Sequence, residues 1–483
     1  LVACRPSVSP QQRGLHMTNK TAARPAELER VFGAGALTLI GIGSVIGAGI
    51  FVITGQAAAA HAGPAIMVSF VIAGLVCVFS ALCYAEMTAM VPTAGSAYAF
   101  TKEAFGRATG WFIGWALVAE YLFAGCAIAI GWSAYMQGVI GDFGIHLPAA
   151  WASSPLTMEG QSLRRTGAIV NLPAVLIILA VTLSHLAGAR ESAKLNVIMV
   201  WIKLSAVLLF IGFGLAHADP SNWVPFVPPL ETHADGSTAF GLSGVFAAAG
   251  IVFFAYLGFD ALGTAAQETR NPQRDLPIAI LATLGISTLL YIGVSAAMTG
   301  LADFRDLGTD APITTAIAAA GPSLAWLKTY VGVAVTIGLW AGLWAVVFAL
   351  SRLLMYFAND GLLPARIGAI DPVRKIPRAS LWLTAVLAMV VAGTLPISLL
   401  GELISTGTLM AFATVCAAVL WLRRTQPDRP RPFRVPMVGL VVPLGVAACL
   451  FLLASMGGYA IARILGWQVI GVGVLLLSMR ARR

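Results

Sequence analysis

Three ionisable residues interrupt stretches of the sequence that are otherwise almost entirely apolar: Glu120, Lys203 and Asp260. A charge inside a long apolar helix is costly to bury, so it usually has a partner and marks a ligand or proton pathway. Amines and carboxyls exchange protons and bind groups of opposite charge. These positions are therefore the first candidates for binding and proton transfer.

Lys203 lies about nine residues from the nearer end of its apolar segment, which corresponds to a depth of roughly 13 Å in a helix. An amine at that depth is too far from the surface to extend into water, and inserting its charge costs about 2.5–3.5 kcal/mol. Lys203 should therefore face the protein interior. Two roles fit: a proton-coupling group, or a structural amine that donates to the open carbonyls of a broken helix.

Three acidic residues of the apolar segments have different settings. Glu120 lies at a depth similar to that of Lys203 from the same side, and it is either a secondary proton carrier or a protonated carboxyl bonded to a neighbour. Glu86 lies near the inner end of its segment, which favours a structural role at the interface. Asp260 fits a structural or gating role, as the cap of the second half of a helix that breaks near Gly258. A structural or gating role is also expected for Tyr256, which lies near the same break.

A second kind of signal is the glycine-rich stretch Gly41–Phe51, which has glycine at positions 41, 43, 47 and 49. Each glycine weakens a helix by about 1 kcal/mol relative to alanine, so a break in the helix is expected here. The alternative is a face of small residues against which a neighbouring helix packs. The spacing does not match a dinucleotide-binding turn, and no strand precedes it.

The sequence offers no cluster of residues suited to catalysis or to metal binding. The six histidines lie mostly at helix ends or in loops, and no two have the spacing of metal ligands: His16, His61, His146, His185, His217 and His233. We therefore expect no enzyme activity, no metal site and no cofactor.

The composition of the whole chain places these residues in a membrane. Of 483 residues, 58% are hydrophobic and only 11% are charged, whereas soluble proteins carry about 25% charged residues. A bilayer-crossing helix needs about 20 apolar residues. Twelve segments qualify: 35–59, 65–91, 109–138, 168–188, 194–217, 241–267, 276–301, 329–357, 379–397, 401–422, 437–456 and 459–479. The sequence therefore predicts an all-α integral membrane protein with twelve transmembrane helices, spans 1–12.

Lysine and arginine are distributed unevenly between the two sides of this arrangement. With the N-terminus inside, 24 of the 30 basic residues fall in cytoplasmic loops and tails and four in external loops, the bias that normally marks the inside. We expect cytoplasmic tails 1–34 and 480–483 and a location in the inner (plasma) membrane. The net charge of +9 then reflects topology and implies no nucleic acid. Residues 1–16 lack the apolar run of a signal peptide, and Met17 is a candidate start.

The two expected breaks lie in corresponding places of two five-helix units. Spans 1 and 6 carry them, which is the pattern of a five-plus-five inverted repeat. We expect repeats over 35–217 and 241–422 and two accessory helices over 437–479. Gly47 and Tyr256 fall roughly 18 Å and 22 Å from the ends of their spans, near mid-membrane. Open half-helix ends there offer N–H groups to an anion and carbonyls to a cation, so a zwitterionic amino acid is the expected ligand.

The order of short motifs along nearly the whole chain, from about Arg30, resembles that of one known family. The motifs are Gly41–Phe51 followed by Val52–Gly55, Glu86 with Pro92–Phe100, Phe254–Asp260, Glu268–Pro277, Asn359–Pro364, and Leu422–Pro427 leading into Arg431–Pro436. Together they resemble the amino acid–polyamine–organocation superfamily, specifically its bacterial branch that is similar to cationic amino acid transporters.

This resemblance implies a LeuT-type fold, in which ten core helices form the inverted repeat and two more are added. It also implies an amino acid site between spans 1 and 6. The amides of Gly47, Ala48 and Gly49 would bind the substrate carboxylate. Backbone carbonyls would bind its ammonium group, at or near Val45, Ile46, Phe254, Ala255 and Leu257. Some relatives carry Thr where Ala48 stands, so recognition at this point should rest on the backbone.

The resemblance also bears on energy coupling. Lys203 matches the lysine whose ammonium, in this branch, takes the position that a sodium ion occupies in sodium-coupled relatives. In those relatives the ion links span 1 carbonyls to hydroxyls on span 8, whereas Leu343–Ser351 in span 8 of this chain has a hydroxyl only at its end. Proton coupling through Lys203 is therefore expected.

These expectations favour a proton-coupled importer of L-amino acids that works by alternating access. Two other functions stay open: an exchanger of cationic amino acids or polyamines, and a membrane receptor that binds amino acids without moving them. Span 8 offers bulk at Trp340 and Trp344 and no carboxylate for a cationic side chain, which favours small neutral substrates. The expected partners are the substrate, protons and the lipid bilayer, and the sequence neither requires nor excludes a small membrane subunit.

Overall fold

The long apolar segments form helices, because a backbone inside a bilayer must satisfy its hydrogen bonds within itself. The computed structural model describes residues 32–91, 96–159, 162–187, 192–232, 238–259, 262, 269–371, 374 and 376–480. The first half of the chain contains α1 (Ala34–Val45), α2 (Thr54–Ala57), α3 (Ile66–Met90), α4 (Ser96–Phe105), α5 (Arg107–Asp142), α6 (Ala149–Ala152), α7 (Leu172–Ala187) and α8 (Ser192–Ala216).

The second half of the chain is built in the same way. Its α-helices are α9 (Gly241–Val252), α10 (Pro272–Leu301), α11 (Pro312–Ala319), α12 (Ala325–Asn359), α13 (Ala365–Gly368), α14 (Arg378–Thr394), α15 (Ile397–Thr425), α16 (Val438–Ser455) and α17 (Gly458–Arg480). Short π-helical or 3₁₀ turns extend or connect helices at Gly49–Ile53, Ala58–Ala62, Gly63–Ala65, Pro220–Trp223, Phe253–Tyr256, Phe304–Leu307 and Pro322–Leu324.

Two small antiparallel hairpins lie in loops that the charge pattern assigns to the outside. They consist of β1 (Leu156–Glu159) with β2 (Ser162–Arg165), and of β3 (Glu231–Thr232) with β4 (Thr238–Ala239). In the first hairpin Leu156 lies opposite Arg165, and in the second Glu231 lies opposite Ala239.

Helical stretches cover part of each predicted membrane segment. Eight in the described residues are long and apolar enough to cross a bilayer: Gly49–Met90, Arg107–Asp142, Ile198–Ala216, Gln273–Leu301, Pro322–Asn359, Ile397–Thr425, Val438–Ser455 and Gly458–Ser478. The other predicted segments contain shorter apolar helices: Ala34–Val45, Leu172–Leu186, Gly241–Tyr256 and Arg378–Thr394. The architecture is that of a helical, multi-pass membrane protein.

The observed helix boundaries differ most from the predicted ones in the region between the first and second membrane segments. A loop was expected around residues 60–64, but helical turns run from Gly49 without interruption into α3. Gly63 turns the chain there with a φ of 57°, a conformation that glycine adopts without steric cost. A single glycine therefore replaces the expected loop.

The buried fraction of each helix distinguishes the central helix α5 from the peripheral helices α16 and α17. Buried residues make up 94% of the apolar stretch of α5, which packs against α12, α14 and α15. In α16 and α17 the buried shares are only 28% and 22%. The last two helices therefore lie at the edge of the bundle, with much of their surface toward lipid.

Polar contacts join segments that the charge pattern assigns to the same side of the membrane. On the predicted inner side these are Lys102–Asp360 (2.6 Å), Arg423–Glu86 (2.5 Å) and Arg429–Glu103 (2.8 Å). On the predicted outer side they are Lys328–Asp142 (2.8 Å), Arg305–Glu231 (3.5 Å) and Gln56–Asp310 (3.0 Å). These contacts agree with the two-sided arrangement of the loops.

Candidate functional site

The helix that begins the first predicted span stops halfway through it. α1 ends at Val45, and Ile46 is extended, with φ −73° and ψ 99°. Helical turns resume with the π-helical segment Gly49–Ile53. The interruption at Ile46–Ala48 falls within the glycine-rich stretch, so the chain breaks where the glycines predict a weak point.

The sixth predicted span is interrupted as well. α9 ends at Val252 and tightens into the 3₁₀ turn Phe253–Tyr256. Leu257 then leaves the helical region, with ψ 139°, and Gly258 has a φ of 113°, which favours glycine. The interruption lies at the predicted place. Asp260, the predicted cap of the second half, lies outside the described residues.

The two interruptions lie directly against each other. A Cβ atom on Gly49 would fall 2.3 Å from Cα of Ala255, so only glycine permits this approach. A Cβ atom on Gly258 would fall 3.0 Å from the carbonyl carbon of Ser44. Gly49, which follows the first break, thus contacts Ala255, which precedes the second, and Gly258, in the second break, contacts Ser44, which precedes the first. This reciprocal contact gathers the half-helix ends at one place.

The second half of span 1 begins with backbone N–H groups that have no acceptor in the described part of the chain. The first N–H groups of a helix have no acceptor within it, and here these include the amides of Gly47, Ala48 and Gly49. The positive end of the helix dipole also favours an anion. A Cβ atom on Gly47 would have nothing within 4 Å, so open space lies beside this turn. A carboxylate fits this arrangement chemically.

Lys203 reaches the end of the first half of span 1. Its side chain is buried, with 1% of the residue exposed, and Nζ donates to the carbonyl oxygens of Ile46, at 2.7 Å, and Gly43. Such carbonyls at a helix end have no donor within the helix. A Cβ atom on Gly338 of α12 would fall 2.8 Å from Cβ of Lys203, so the stem packs closely on α12. The predicted interior position is confirmed.

α10 supplies a residue that the sequence reasoning missed. Tyr291 is fully buried, and its hydroxyl lies 2.9 Å from the carbonyl oxygen of Val45 and 2.6 Å from that of Ala255. The single hydroxyl proton serves one carbonyl at a time, so Tyr291 links the two breaks. The signal was present in the sequence, because a tyrosine inside an apolar helix needs a partner for its hydroxyl.

Four of the five carbonyls predicted to bind a substrate ammonium already have a hydrogen-bond donor of the protein within reach. Lys203 and Tyr291 serve three of them, and the carbonyl oxygen of Phe254 accepts from the amide of Leu257 at 3.0 Å. A carbonyl oxygen has two lone pairs. Each of these carbonyls can therefore accept a further hydrogen bond from a ligand.

Aromatic rings hold the sixth span in place at its break. The hydroxyl of Tyr256 donates to the carbonyl oxygen of Phe70 in α3 at 2.8 Å. The ring centroids of Tyr256 and Tyr291 lie 5.3 Å apart, and those of Phe70 and Tyr291 lie 5.1 Å apart. This contact with α3 is compatible with the structural role predicted for Tyr256.

Glu120 lies at a different interface. It is fully buried in α5 and accepts a hydrogen bond from Oγ1 of Thr408 in α15 at 2.9 Å. The described hydrogen bonds of Lys203 do not include it. The expectation of a carboxyl bonded to a neighbour fits this geometry, whereas a path between the two groups does not follow from the contacts.

Glu86 forms a buried network at the predicted inner side. Its carboxylate accepts two hydrogen bonds from Arg423, at 2.9 and 2.5 Å, and one from the amide of Val435 at 2.7 Å. Glu86 is only 1% exposed. It therefore ties the end of α3 to the end of α15 and to the loop before α16, in line with the predicted structural role.

A second inner network centres on Asp360, at the end of α12. Burial alone would raise the pKa of Asp360, but hydrogen bonds from Lys102 and Tyr98 hold it below its ordinary value. Arg107 donates to the backbone carbonyl of the same residue. The carboxylate of Asp360 thus fastens α4 to α12, and its backbone carbonyl fastens the start of α5.

Trp344, one of the two bulky residues behind the expectation of a small substrate, packs against a neighbouring helix. The ring of Trp344 stacks on His185 of α7, with centroids 4.2 Å apart, and Nε2 of His185 lies 3.0 Å from the Trp344 carbonyl oxygen. The ring of Trp344, which belongs to α12, therefore packs against α7. His185 is buried instead of solvated. Among the described residues, no group of three His, Cys, Asp or Glu side chains is arranged to hold a metal ion.

Comparison with known proteins decides the family. The family model described as "Amino acid permease" matches residues 32–478, nearly the whole chain. The chain belongs to the amino acid permease family. This membership agrees with the resemblance to the amino acid–polyamine–organocation superfamily.

Individual relatives of this permease are named as permeases or transporters as well. The chain is 38% identical to the "Branched-chain amino acid permease BcaP" of Bacillus subtilis over 454 residues, 94% of each chain. It is 37% identical to the "Methylthioribose transporter" of the same organism over 463 residues, 96% of each chain. It is 35% identical to the "Cationic amino acid transporter 4, vacuolar" of Arabidopsis thaliana over 404 residues, 84% of this chain and 65% of the relative. The family and these relatives are permeases and transporters, not enzymes.

Proposed function

We propose that this permease is a secondary transporter that imports L-amino acids through a site between its two broken helices. The observation that carries the proposal is the reciprocal contact of the two interruptions. The amides of Gly47, Ala48 and Gly49 bind the substrate carboxylate at the start of a helix, where anions are favoured. Backbone carbonyls bind the ammonium group, at Val45, Ile46, Phe254, Ala255 and Leu257.

The proposed architecture is a LeuT-type fold with twelve spans. It consists of an inverted repeat over 35–217 and 241–422 and accessory helices over 437–479. The reciprocal contact of the breaks supports it, because inverted repeats bring two discontinuous helices together in opposite directions. Alternating access then moves one group of helices against the other around the site. The tails 1–34 and 480–483 lie in the cytoplasm, and the membrane is the inner (plasma) membrane.

Lys203 is the proposed coupling group. Charged, its ammonium bridges the carbonyls of Gly43 and Ile46 and holds the first half of span 1 against the scaffold. Neutral, it is a weaker donor and releases this half-helix, because hydrogen bonds from charged donors are about twice as strong. Protonation thus biases the inward–outward equilibrium, and a substrate that prefers one state becomes coupled to protons.

The other polar residues have supporting roles in this proposal. Glu120 is a secondary proton carrier, so its loss weakens uptake less than the loss of Lys203. Tyr256 and Glu86 hold moving and fixed helices together through the contacts described above, and Asp260 caps the second half of span 6.

The local chemistry favours a neutral substrate. No side chain is charged among the described residues of the two breaks, 44–50 and 252–259. A cationic side chain buried there would need an acidic partner. The name of the first relative, a branched-chain amino acid permease, agrees with an aliphatic substrate. The alternatives are an exchanger of cationic amino acids or polyamines, as the names of other relatives suggest, and a receptor that does not transport.

Uptake by proteoliposomes tests the proposal. The purified full chain is reconstituted with an alkaline interior, and radiolabelled leucine, lysine, putrescine or methylthioribose is added outside, with protein-free liposomes as the control. We expect leucine to accumulate above its external concentration, a protonophore to abolish accumulation, and a sodium gradient to be without effect. Lysine or putrescine flux that requires a counter-substrate would favour the exchanger. Leucine binding without any flux would favour the receptor.

A further inference from the structure

A groove on the lipid-facing side of the permease lies away from the two breaks. It has a volume of about 510 Å³ and runs between α15 and α16, with the end of α4 at its edge. Its apolar walls include Phe105, Ala417, Trp421, Val442, Val446 and Leu450. Trp421 and Leu450 are 50% and 51% exposed, so the groove opens on the surface and not into the core.

One charged residue, Arg424, lines this apolar groove. It lies in the last turn of α15, one helical turn beyond Trp421, at the end assigned to the cytoplasm. Within the described part of the chain, its guanidinium makes no hydrogen bond and no ion pair. Since a guanidinium carries five N–H donors, Arg424 has unused binding capacity at the mouth of the groove.

The neighbouring arginines of the same inner segment are largely engaged by the protein. Arg423 binds the Glu86 carboxylate, and Arg429 binds Glu103 at 2.8 Å. Arg431 donates to four backbone carbonyls, at Leu422, Gln426, Pro427 and Arg429. Arg434, like Arg424, has no partner among the described residues, but it does not line the groove. The segment therefore combines a free guanidinium with an apolar groove at one position.

We propose that this groove binds an anionic phospholipid of the cytoplasmic leaflet. The phosphate accepts hydrogen bonds from Arg424, which binds phosphate through two parallel N–H groups. An acyl chain lies along the apolar walls between α15 and α16. From Arg424 to Ala417 the groove extends about 10 Å along α15, which accommodates the upper part of such a chain.

The charge at the groove favours an anionic over a zwitterionic headgroup. The segment from Arg423 to Arg434 holds five arginines and one acidic residue, Asp428. Glu86 and Glu103 pair with two of these arginines, so a net positive charge remains beside the groove. Basic pockets between helices at the cytoplasmic side bind anionic headgroups. The bound lipid would join α16, which is only 28% buried, to α15 and α4. This inference does not depend on which substrate the permease transports.

Thermal unfolding of the purified full chain in a neutral detergent tests the proposal. The probes are phosphatidylglycerol and phosphatidylcholine with identical acyl chains, oleate, and inorganic phosphate. We compare the wild type with Arg424→Gln, with Arg424→Lys, which keeps the charge, and with Arg434→Gln as the matched control. Ala447→Trp, at an exposed position on the wall, fills the groove and leaves Arg424 intact.

We expect phosphatidylglycerol to raise the unfolding midpoint of the wild type more than the other probes do. The apparent affinity should fall about fivefold in Arg424→Gln, as expected for a residue that contributes about 1 kcal/mol to anionic lipid binding. Arg434→Gln should keep the full effect. Arg424→Lys should keep only part of it, because lysine retains the charge but not the paired N–H groups. Ala447→Trp should lose the effect.

Three outcomes would overturn the proposal. Equal stabilisation by phosphatidylglycerol and phosphatidylcholine would show that no anionic headgroup is selected. Equal loss in Arg424→Gln and Arg434→Gln would indicate a diffuse electrostatic effect. A full effect of oleate or phosphate alone would assign the site to a fatty acid or to a free anion.

Discussion

Replacing Tyr291 with phenylalanine would remove one hydroxyl from the contact between the two broken helices. The ring would stay in place, because it packs against Phe70 and Tyr256. What is lost is the donor that lies 2.9 Å from the carbonyl oxygen of Val45 and 2.6 Å from that of Ala255. The two carbonyls would then no longer be held toward one point.

The size of the effect follows from the chemistry of one proton shared between two buried acceptors. A hydrogen bond contributes about 0.5–1.5 kcal/mol, and a buried acceptor without a donor costs about 1–3 kcal/mol. Since one proton serves one acceptor at a time, we expect a loss of about 1–2 kcal/mol in the free energy of unfolding. If the ammonium of leucine uses the same carbonyls, its Kd should rise about tenfold, which corresponds to 1.4 kcal/mol.

Tyr256→Phe is the matched control for Tyr291→Phe. Its hydroxyl donates to the carbonyl oxygen of Phe70 at 2.8 Å and does not join the two breaks. Denaturant unfolding in mixed micelles should show similar destabilisation of both variants, while leucine titration calorimetry should show weaker binding only in Tyr291→Phe. Wild-type leucine affinity in Tyr291→Phe would refute the positioning role.

Three further predictions concern other positions. Gly47→Ala should keep wild-type thermal stability, because its Cβ meets nothing within 4 Å, and should weaken leucine binding, because that Cβ would lie in the open space proposed for the carboxylate. Gly49→Ala should lose stability, because its Cβ would fall 2.3 Å from Cα of Ala255. Thermal unfolding and leucine titration check both variants. Glu86→Gln should lower the free energy of unfolding by about 3 kcal/mol, measured by denaturant titration, because it leaves a partly buried arginine without its carboxylate. Burial raises the pKa of Asp310 to about 6, despite a hydrogen bond from a glutamine. The stability that the protonated Asp310 carboxyl contributes is therefore full below about pH 4 and is lost as the pH rises through about 6. Thermal unfolding measured over this pH range should show a flatter dependence in Asp310→Asn than in the wild type. The same pH profile in both proteins would contradict this prediction.

The helices and the positions of the breaks follow from simple patterns in the sequence. Long apolar runs predict helices because the bilayer gives the backbone no other donor or acceptor. The glycines of Gly41–Phe51 and Gly258 indicate where a helix is weak. Lys203 could be placed in the interior, because an exposed amine at that depth is too costly.

The contacts made by the site could not be read from the sequence. The partners of Tyr291 are backbone carbonyls, and which carbonyls lie within reach depends on how α10 packs against two other segments. The packing of Trp344 on His185 and the hydrogen bond from Thr408 to Glu120 join residues far apart in the chain. Hydrophobic pattern and residue type carry no information about such pairings.

The central claim is that substrate and proton cross the membrane together through the action of Lys203. The most direct test is substrate-driven acidification of proteoliposomes that contain a pH-sensitive dye, with leucine added outside and no imposed gradient. The account predicts acidification with the wild type. In Lys203→Met, which keeps the length and loses the charge, leucine should still bind but should not acidify the interior. Acidification by Lys203→Met at the wild-type rate would contradict the account.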